Sequence, residues 1–209
     1  MFTCDDAIGA DASDLFNFLT GYSGKQDYQK LLVAPVNLRQ RMEVLIRREI
    51  ANAMSGGRAH VIFKINSIVD PEMIALLYEA SQAGVKIDLL VRGICCLKPG
   101  IKGVSDNIRV ISIVGRYLEH SRLYYFYNGG AEEIYLGSAD LMQRNLDHRV
   151  EVVFPLENQQ YIRYLRDQVL EQYLQDNLRA RIMLPDGKYR RLQPAKDQQA
   201  VDVQEWLMT

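Results

Sequence analysis

The sequence predicts an α/β fold, in which a mixed, mostly parallel β-sheet is flanked by helices on both faces. Three observations lead to this prediction. From about residue 31, segments of strand length alternate with segments of helical periodicity. Two strand–helix–strand steps follow one another, and such steps place their strands parallel in a two-sided sheet. Elsewhere, apolar segments are joined by short Gly-containing turns, which is typical of hairpins.

The first strand–helix–strand step lies between residues 31 and 66. LLVAP, residues 31–35, is a short apolar strand, and Asn37 can cap the helix after it. Ser55-Gly56-Gly57 ends that helix, and HVIFKIN, residues 60–66, is the next strand. The apolar residues of the helix keep helical spacing: Leu38, Met42, Leu45, Ile46 and Ile50.

The second step begins with Asp70-Pro71, an N-cap residue followed by a proline at the first helical position. Gly84 is a suitable residue for the helix C-terminus. KIDLLVR, residues 86–92, and NIRVISIVG, residues 107–115, then read as two further strands.

The second half of the chain predicts a hairpin, a strand and a long helix. Residues 122–128 and 132–138 are strands joined through Asn128-Gly129-Gly130, and residues 148–156 form another strand. The helix after it presents one apolar stripe: Tyr161, Leu165, Val169 and Tyr173.

Residues 1–30 differ from the rest, because they hold a short helix within irregular sequence and no strand. We interpret them as the tail of a preceding domain and residues 31–209 as a C-terminal domain. The chain is thus expected to be the C-terminal piece of a larger protein.

The composition excludes several classes of protein. The 209 residues are 48% hydrophobic and 24% charged, and the formal net charge is −1. No overall positive field therefore indicates a nucleic-acid partner, and any basic site must be local. No apolar run is long enough to span a bilayer, and the N-terminus lacks the pattern of a secretory signal. Three cysteines without C-x-x-C spacing favour reduced thiols and a cytoplasmic protein.

Polar residues near the predicted hairpin indicate an anion site. His120 and Arg122 are two positions apart at the start of a strand, so their side chains point the same way. The hairpin returns Gly137-Ser138 beside them, and glycine permits close approach of the backbone to a ligand. Asn145 adds a donor nearby. Asp140 and Gln143 have the spacing of a capping box, so a short helix is expected to begin here.

Further arginines are expected at the same edge of the sheet. Arg92 ends a predicted parallel strand, where ligands of open α/β sheets bind. Arg149 and Glu151 lie two apart on the last strand, and the carboxylate could hold the His120 imidazole in one tautomer. A guanidinium group can bind phosphate oxygens through two parallel hydrogen bonds, and a histidine can attack phosphorus or move a proton.

Other polar residues leave alternatives open. Lys64 and Asn66 share a face at a strand end, where they either look into the cleft or cap the strand. His60 is expected in the core or at a strand end, and His148 on the surface. The basic run Lys188, Arg190 and Arg191 reads as a solvated face, with steering of a polyanion as the alternative.

The pattern H-x-[KR] followed by G-S-x6-N resembles half of the phospholipase D superfamily active site, although Tyr127 stands where that motif has an aspartate. Longer strings resemble the C-terminal region of bacterial family-1 polyphosphate kinases. They are LLVAPVNLR (31–39), DLLVRGICCLKPG (88–100), GRYLEHSR (115–122) and YLGSADLMQRNLDHRVE (135–151).

This resemblance implies a phospholipase-D-like domain of an ATP:polyphosphate phosphotransferase that works through a phosphohistidine upstream of this chain. It implies that His120 is a second active-site histidine and that Arg92 binds nucleotide phosphate. It further implies that Arg149 binds phosphate and that Glu151 orients the histidine. Mg²⁺ is the implied cofactor, with its ligands upstream, so no metal site is expected in this chain.

The implied partners are ATP, ADP, inorganic polyphosphate and the remaining domains of the same enzyme, with no nucleic acid. The whole bacterial enzyme is expected to be a cytoplasmic homo-oligomer, with association with the membrane as a further possibility. The isolated chain is expected to be inactive. Two alternatives remain. One is a phospholipase-D-type phosphodiesterase half-site completed by dimerisation, and the other is a non-catalytic module that binds polyphosphate or ATP.

Overall fold

The fold is built on one large sheet in a computed structural model that describes residues 3–22, 24 and 27–208. Nine strands are found in these residues: β1 (Leu32–Ala34), β2 (His60–Ile65), β3 (Lys86–Val91), β4 (Ile108–Ile113), β5 (Arg122–Phe126), β6 (Glu133–Gly137), β7 (Glu151–Leu156), β8 (Ala180–Met183) and β9 (Tyr189–Arg191). The helices are α1 (Asp6–Leu19), α2 (Leu38–Met54), α3 (Pro71–Gln82), α4 (Gln143–Asp147), α5 (Gln159–Tyr164), α6 (Glu171–Gln175) and α7 (Val203–Trp206).

The sheet is mixed, in the order β1-β7-β6-β5-β2-β3-β4-β8-β9. Parallel pairing is confined to β2–β3 and β3–β4, and all other neighbours pair antiparallel. The parallel share is therefore smaller than predicted. The first strand–helix–strand step does not join neighbours, because β1 pairs with β7 at the far edge of the sheet. The predicted mixed sheet with helices on both faces is confirmed.

Two helical layers cover the sheet. On one face, α2 and α3 pack against alternate residues of the central strands, such as Phe63, Leu89 and Phe126, all fully buried. On the other face, α5, α6 and α7 pack against the intervening residues, such as Ile62 and Tyr125. This alternation follows from the two-residue period of a strand. Helix α1 covers the edge near β1, through Ile8 and Leu15 against Val33.

The predicted start of α3 is confirmed, whereas the predicted cap of α2 is wrong. Asp70 accepts a hydrogen bond from the Met73 amide at 2.9 Å, and Pro71 follows as the first helical residue. Asn37 makes no side-chain cap. Its Oδ1 instead accepts from the Val33 amide at 2.6 Å, so the side chain closes the turn between β1 and α2.

The long helix is interrupted by a π-helical turn at Leu165–Leu170, between α5 and α6. A π turn holds one extra residue, so it shifts the side chains beyond it around the helix axis. Tyr161, predicted on the apolar stripe, precedes this turn and is 58% exposed, while Ile162, Leu170 and Tyr173 are buried. Among the described residues, no helix is both long and apolar enough to cross a membrane.

A half-buried ion network joins three helices below the edge of the sheet that carries Asn66 and Arg92. Arg39 of α2 contacts Asp70 at 2.7 Å and Asp147 of α4 at 2.6 Å. The hydrogen bonds that Arg39 donates to Asp70 and Asp147 raise the pKa of Arg39. Asp70 is 1% exposed, so its charge depends on this arginine and on the α3 N-terminus.

Candidate functional site

A pocket lies where β2, β3 and β4 end at their C-terminal sides, next to the start of the antiparallel strand β5. The loop of residues 114–121, between β4 and β5, forms its outer wall. Its lining includes two arginines, a lysine and a histidine beside apolar strand residues: Lys64, Asn66, Leu90, Arg92, Ile111, Ile113, Glu119, His120, Ser121, Arg122 and Tyr173. The strand ends thus bring Arg92, His120 and Arg122 together, as predicted.

Arg92 follows β3 directly and is held by one neutral side chain. Its Nε and Nη2 donate to Asn66 Oδ1 at 3.1 and 2.7 Å. Gly93 allows the two strand ends to lie close, because a Cβ there would be 2.9 Å from the Asn66 carbonyl oxygen. Within the described residues, Arg92 has no carboxylate partner. Because Asn66 uses only two of the five guanidinium N–H groups, donors remain for a ligand.

Arg122, at the start of β5, is paired with a buried carboxylate. Its Nη2 lies 3.0 Å from Asp140 Oδ2, and its Nη1 donates to the His120 carbonyl oxygen at 2.6 Å. The hydrogen bond with Asp140 raises the pKa of Arg122. Arg122 therefore fixes the backbone of His120 while most of its own charge is balanced.

His120 is an exposed residue that lines the pocket from the 114–121 loop. In the part of the chain that the structure describes, the His120 ring makes no hydrogen bond or ion pair. The backbone carbonyl of His120 accepts a hydrogen bond from Arg122. The imidazole is thus placed at the pocket mouth by its neighbours and is accessible to a ligand from solvent.

Lys64 lies at the floor of the pocket in a network that the sequence did not predict. It is 7% exposed, and its Nζ contacts Glu119 Oε2 at 2.8 Å and Ser121 Oγ at 2.9 Å. The Tyr173 ring lies under the ammonium, 4.7 Å from the ring centroid. Burial lowers the pKa of Lys64, although Glu119 opposes this effect. The cleft alternative for Lys64 and Asn66 is confirmed, since both line the pocket.

Glu119 holds its charge despite partial burial. Desolvation would raise the pKa of this carboxyl, but hydrogen bonds from Gln204, Lys64 and Tyr173 lower it below its usual value. The Tyr173 hydroxyl donates to Oε2, and Gln204 Nε2 donates to Oε1 at 2.6 Å. The carboxylate is therefore fully engaged by protein groups.

The prediction that Glu151 holds the His120 imidazole is wrong. Glu151 begins β7 and accepts hydrogen bonds from Ser138 Oγ and from Asn145 Nδ2, the latter at 2.5 Å. Strand β6 lies between β5 and β7, so two strand spacings, roughly 10 Å, separate the start of β5 from the start of β7. Ser138, Asn145 and Glu151 instead form a cluster of their own beside the pocket.

Arg149 is not brought into the pocket. It precedes β7 in an exposed turn, where its amide donates to the Arg144 carbonyl at 2.8 Å, and its side chain does not line the pocket. Alternation along a strand does not apply here, because β7 begins only at Glu151. Arg149 therefore lies outside the pocket that Arg92, His120 and Arg122 line.

Sequence reasoning missed Asp140 as a member of the site. Its capping-box spacing was misleading, because α4 begins at Gln143 without a side-chain cap. Asp140 Oδ1 instead accepts from the Asn66 and Ser67 amides at 2.7 and 3.2 Å, and the carboxylate pairs with Arg122. The sequence signal that could have placed Asp140 beside the site was its position two residues after Ser138, which was itself a predicted site residue. Gly137 also serves another purpose than predicted, since it admits the β7 backbone: a Cβ would lie 2.5 Å from the Val152 carbonyl oxygen.

The pocket does not suit a divalent cation. Its two neighbouring carboxylates, Glu119 and Asp140, are each engaged by a cationic side chain. The described residues contain no group of three or more His, Cys, Asp or Glu side chains arranged to hold a metal ion. A cationic rim with an unpaired guanidinium favours an anion instead.

The fold is phospholipase-D-like. The crystal structure of a phospholipase D family member, Nuc from Salmonella typhimurium, superposes with a TM-score of 0.50 at 12% identity, over 78% of this chain and 97% of Nuc. Polyphosphate kinase from Porphyromonas gingivalis is much more similar, with a TM-score of 0.93 and 40% identity over 97% of this chain and 31% of that protein.

The chain belongs to the polyphosphate kinase family. The family model described as polyphosphate kinase C-terminal domain 2 matches residues 31–204. Polyphosphate kinase from Synechocystis sp. is 54% identical over 200 residues, which are 96% of this chain and 27% of the relative. That from Pseudomonas aeruginosa is 50% identical over 208 residues, 100% of this chain and 30% of the relative. The chain thus spans less than a third of the length of these relatives.

Proposed function

We propose that this chain supplies one wall of the active site of an ATP:polyphosphate phosphotransferase. The pocket would bind the terminal phosphates of ATP or polyphosphate, and the terminal phosphoryl group would pass reversibly between them. The observation that carries this proposal is Arg92, a guanidinium without a carboxylate partner in the described chain, facing one pocket with His120 and Arg122. Family membership supports the same reaction.

In this reaction the P–O bond to the leaving ADP breaks as a nucleophile bonds to the γ-phosphorus. As the family resemblance implies, the nucleophile would be a histidine upstream of this chain, and a terminal oxygen of polyphosphate would then accept the phosphoryl group. Such transfer depends on positioning and electrostatic stabilisation, which matches a pocket of fixed cations. Mg²⁺, when bound, would neutralise phosphate charge, with its ligands outside this chain.

The residues of this chain take distinct roles in the proposal. Arg92 binds the oxygens of the transferred phosphoryl group, because its free N–H donors face the pocket. His120 moves a proton at a phosphate oxygen or contacts that oxygen. Arg122 holds the His120 backbone. Glu151 is a positioning residue for Ser138 and Asn145, to which it is hydrogen-bonded, rather than for His120. Arg149 would contact polyphosphate at the outer rim.

The test compares variants of the longer polyphosphate kinase chain that contains this sequence. ATP-dependent polyphosphate synthesis is measured for His120→Ala and Arg92→Ala. Removing an electrostatic group from the transition state costs roughly 10²–10³ in kcat, and we expect losses of that size. His148→Ala and Arg47→Ala are matched controls, because both residues are exposed and outside the pocket. Rates equal to wild type in both test variants would contradict the proposal.

The second candidate is a non-catalytic module that binds polyphosphate or ATP. One observation favours it: His120 lacks the carboxylate contact expected of an oriented catalytic histidine. Kinetics separate the two functions. If His120→Ala raises KM and leaves kcat unchanged, the residue only binds, whereas a fall in kcat assigns it to the chemical step.

A further inference from the structure

A buried glutamine of the C-terminal helix contacts the loop that carries His120. Gln204, in α7, is 6% exposed. Its Oε1 accepts from the Tyr117 amide at 3.0 Å, and its Nε2 donates to the Tyr117 carbonyl at 2.9 Å. The same Nε2 donates to Glu119 Oε1 at 2.6 Å. One side-chain amide therefore satisfies both backbone groups of one loop residue and a carboxylate two residues later.

Gly115 leaves the space that this amide occupies. A Cβ built on Gly115 would lie 2.2 Å from Gln204 Oε1 and 2.7 Å from its Cδ. Contacts this short do not occur between real atoms, so either the loop or Gln204 would have to move. The glycine thus allows the loop to approach the glutamine amide closely.

The contacts of Gln204 continue into the pocket. Glu119, the acceptor of Nε2, uses its other oxygen to pair with Lys64 at 2.8 Å and to accept from the Tyr173 hydroxyl. Lys64 in turn donates to Ser121 Oγ at 2.9 Å. Both sequence neighbours of His120 are therefore held, Glu119 by Gln204 and Lys64, and Ser121 by Lys64.

Helix α7 is itself firmly attached to the domain. The Val203 amide donates to Asp176 Oδ2 at 2.9 Å, and the Val201 amide donates to Asn177 Oδ1 at 2.8 Å. Asp202 caps the helix and pairs with Arg179 Nε at 2.7 Å. Gln204 is thus presented to the loop from a fixed base.

We propose that Gln204 is a positioning residue, which sets the conformation of the 114–121 loop and so places His120 at the pocket. The C-terminal helix would thereby become part of the active-site structure. The consequence for catalysis rests on the proposed function, whereas the consequence for the loop does not.

The loop is tested first, by amide hydrogen exchange of the 209-residue chain. In Gln204→Ala the Tyr117 amide loses its buried acceptor, and we expect its exchange to accelerate about 10- to 100-fold. Glu205→Ala is the matched control on the same helix, since Glu205 is exposed. Exchange of Tyr117 within twofold of wild type in Gln204→Ala would overturn the proposal.

A second variant, Gly115→Ala, tests the same contact in case Gln204→Ala folds poorly. Gly115→Ala displaces the glutamine amide from the other side, so it should accelerate exchange of the same loop amides. In the double variant Gly115→Ala/Gln204→Ala the clash is gone, and the added alanine at position 115 should have little further effect. If Gly115→Ala accelerated exchange equally with and without Gln204, the proposal that Gln204 holds the loop would be contradicted.

The catalytic consequence is measured in the longer kinase chain. We expect Gln204→Ala to lower kcat about 10-fold or more with a smaller change in KM, and Glu205→Ala to change neither. Faster loop exchange with an unchanged kcat would overturn the positioning role. If His120→Ala and Arg92→Ala both retain wild-type rates, the proposed function fails, and the hydrogen-exchange result still decides whether Gln204 holds the loop.

Discussion

At the scale of single residues, the site combines balanced and unbalanced charges. Arg122 and Lys64 have carboxylate partners in Asp140 and Glu119, whereas Arg92 is held by the neutral amide of Asn66. An arginine bound to an amide keeps its full positive charge for a ligand. The paired residues build the walls of the pocket, and Arg92 is the cation that we propose to bind phosphate.

A buried ion cluster at the opposite end of β3 gives a pH-dependent prediction. Asp88 accepts from Arg109 Nε at 2.6 Å and lies 2.8 Å from His60 Nε2. Desolvation raises the pKa of Asp88, but these partners outweigh it and lower the pKa to about 2. A depressed pKa gives stability that is present above the unfolded value, near 3.8, and is lost as the pH falls toward 2.

We therefore expect Asp88→Asn to lower the free energy of unfolding at pH 7 by about 2–3 kcal/mol, because folding lowers the pKa of Asp88 from 3.8 to about 2. Urea unfolding at pH 7 and near pH 2 measures the difference, which should shrink strongly at the lower pH. A wild-type-minus-variant difference that stays constant between these pH values would contradict this account of the cluster.

At the scale of helices, Arg39 connects α2 with α3 and α4. Removing it leaves Asp70, 1% exposed, without its ion partner. We expect Arg39→Leu to destabilise the chain by about 3–5 kcal/mol, because an unpaired buried charge is costly. Arg47→Leu is the control on the same helix, since Arg47 and Glu79 are both exposed, and it should cost about 1 kcal/mol or less. If urea unfolding showed similar losses of unfolding free energy for both variants, the conclusion that the Arg39 network stabilises the chain would be contradicted.

At the scale of strands, Gly137 sets the distance between β6 and β7. A Cβ there would lie 2.5 Å from the Val152 carbonyl oxygen and 2.8 Å from the Val153 Cα. Backbone atoms cannot move aside like a flexible side chain, so Gly137→Ala should destabilise by about 1–3 kcal/mol. Gly9→Ala in α1, where no atom lies within 4 Å, should instead stabilise by about 0.5–1 kcal/mol. Thermal unfolding measures both, and a neutral Gly137→Ala would be inconsistent with this packing.

At the scale of the whole molecule, the strands and the parallel centre were predictable because their signals are local. Asp70-Pro71 and Gly84 mark one helix at both ends, and the structure agrees. The position of β1 beside β7 was not predictable, because strand order depends on contacts between distant segments. The π-helical turn at Leu165–Leu170 also left no periodic signal in the sequence.

The same distinction holds for the site. Arg92, His120 and Arg122 were found because each lies at or next to a strand end on one side of the sheet. Glu119 and Gln204 contact each other across 85 residues, and no spacing rule connects them. The expected contact between Glu151 and His120 failed for a related reason, since alternation gives the face of a side chain but not the number of strands between two side chains.

The central claim is that Arg92, His120 and Arg122 surround a binding site for phosphate oxygens. A crystal structure of the 209-residue chain with inorganic tripolyphosphate tests it most directly. We predict density for the anion in the pocket, with oxygens at hydrogen-bonding distance from the Arg92 guanidinium and the His120 ring. Tripolyphosphate bound instead along Arg190 and Arg191 of β9, with the pocket empty, would contradict it.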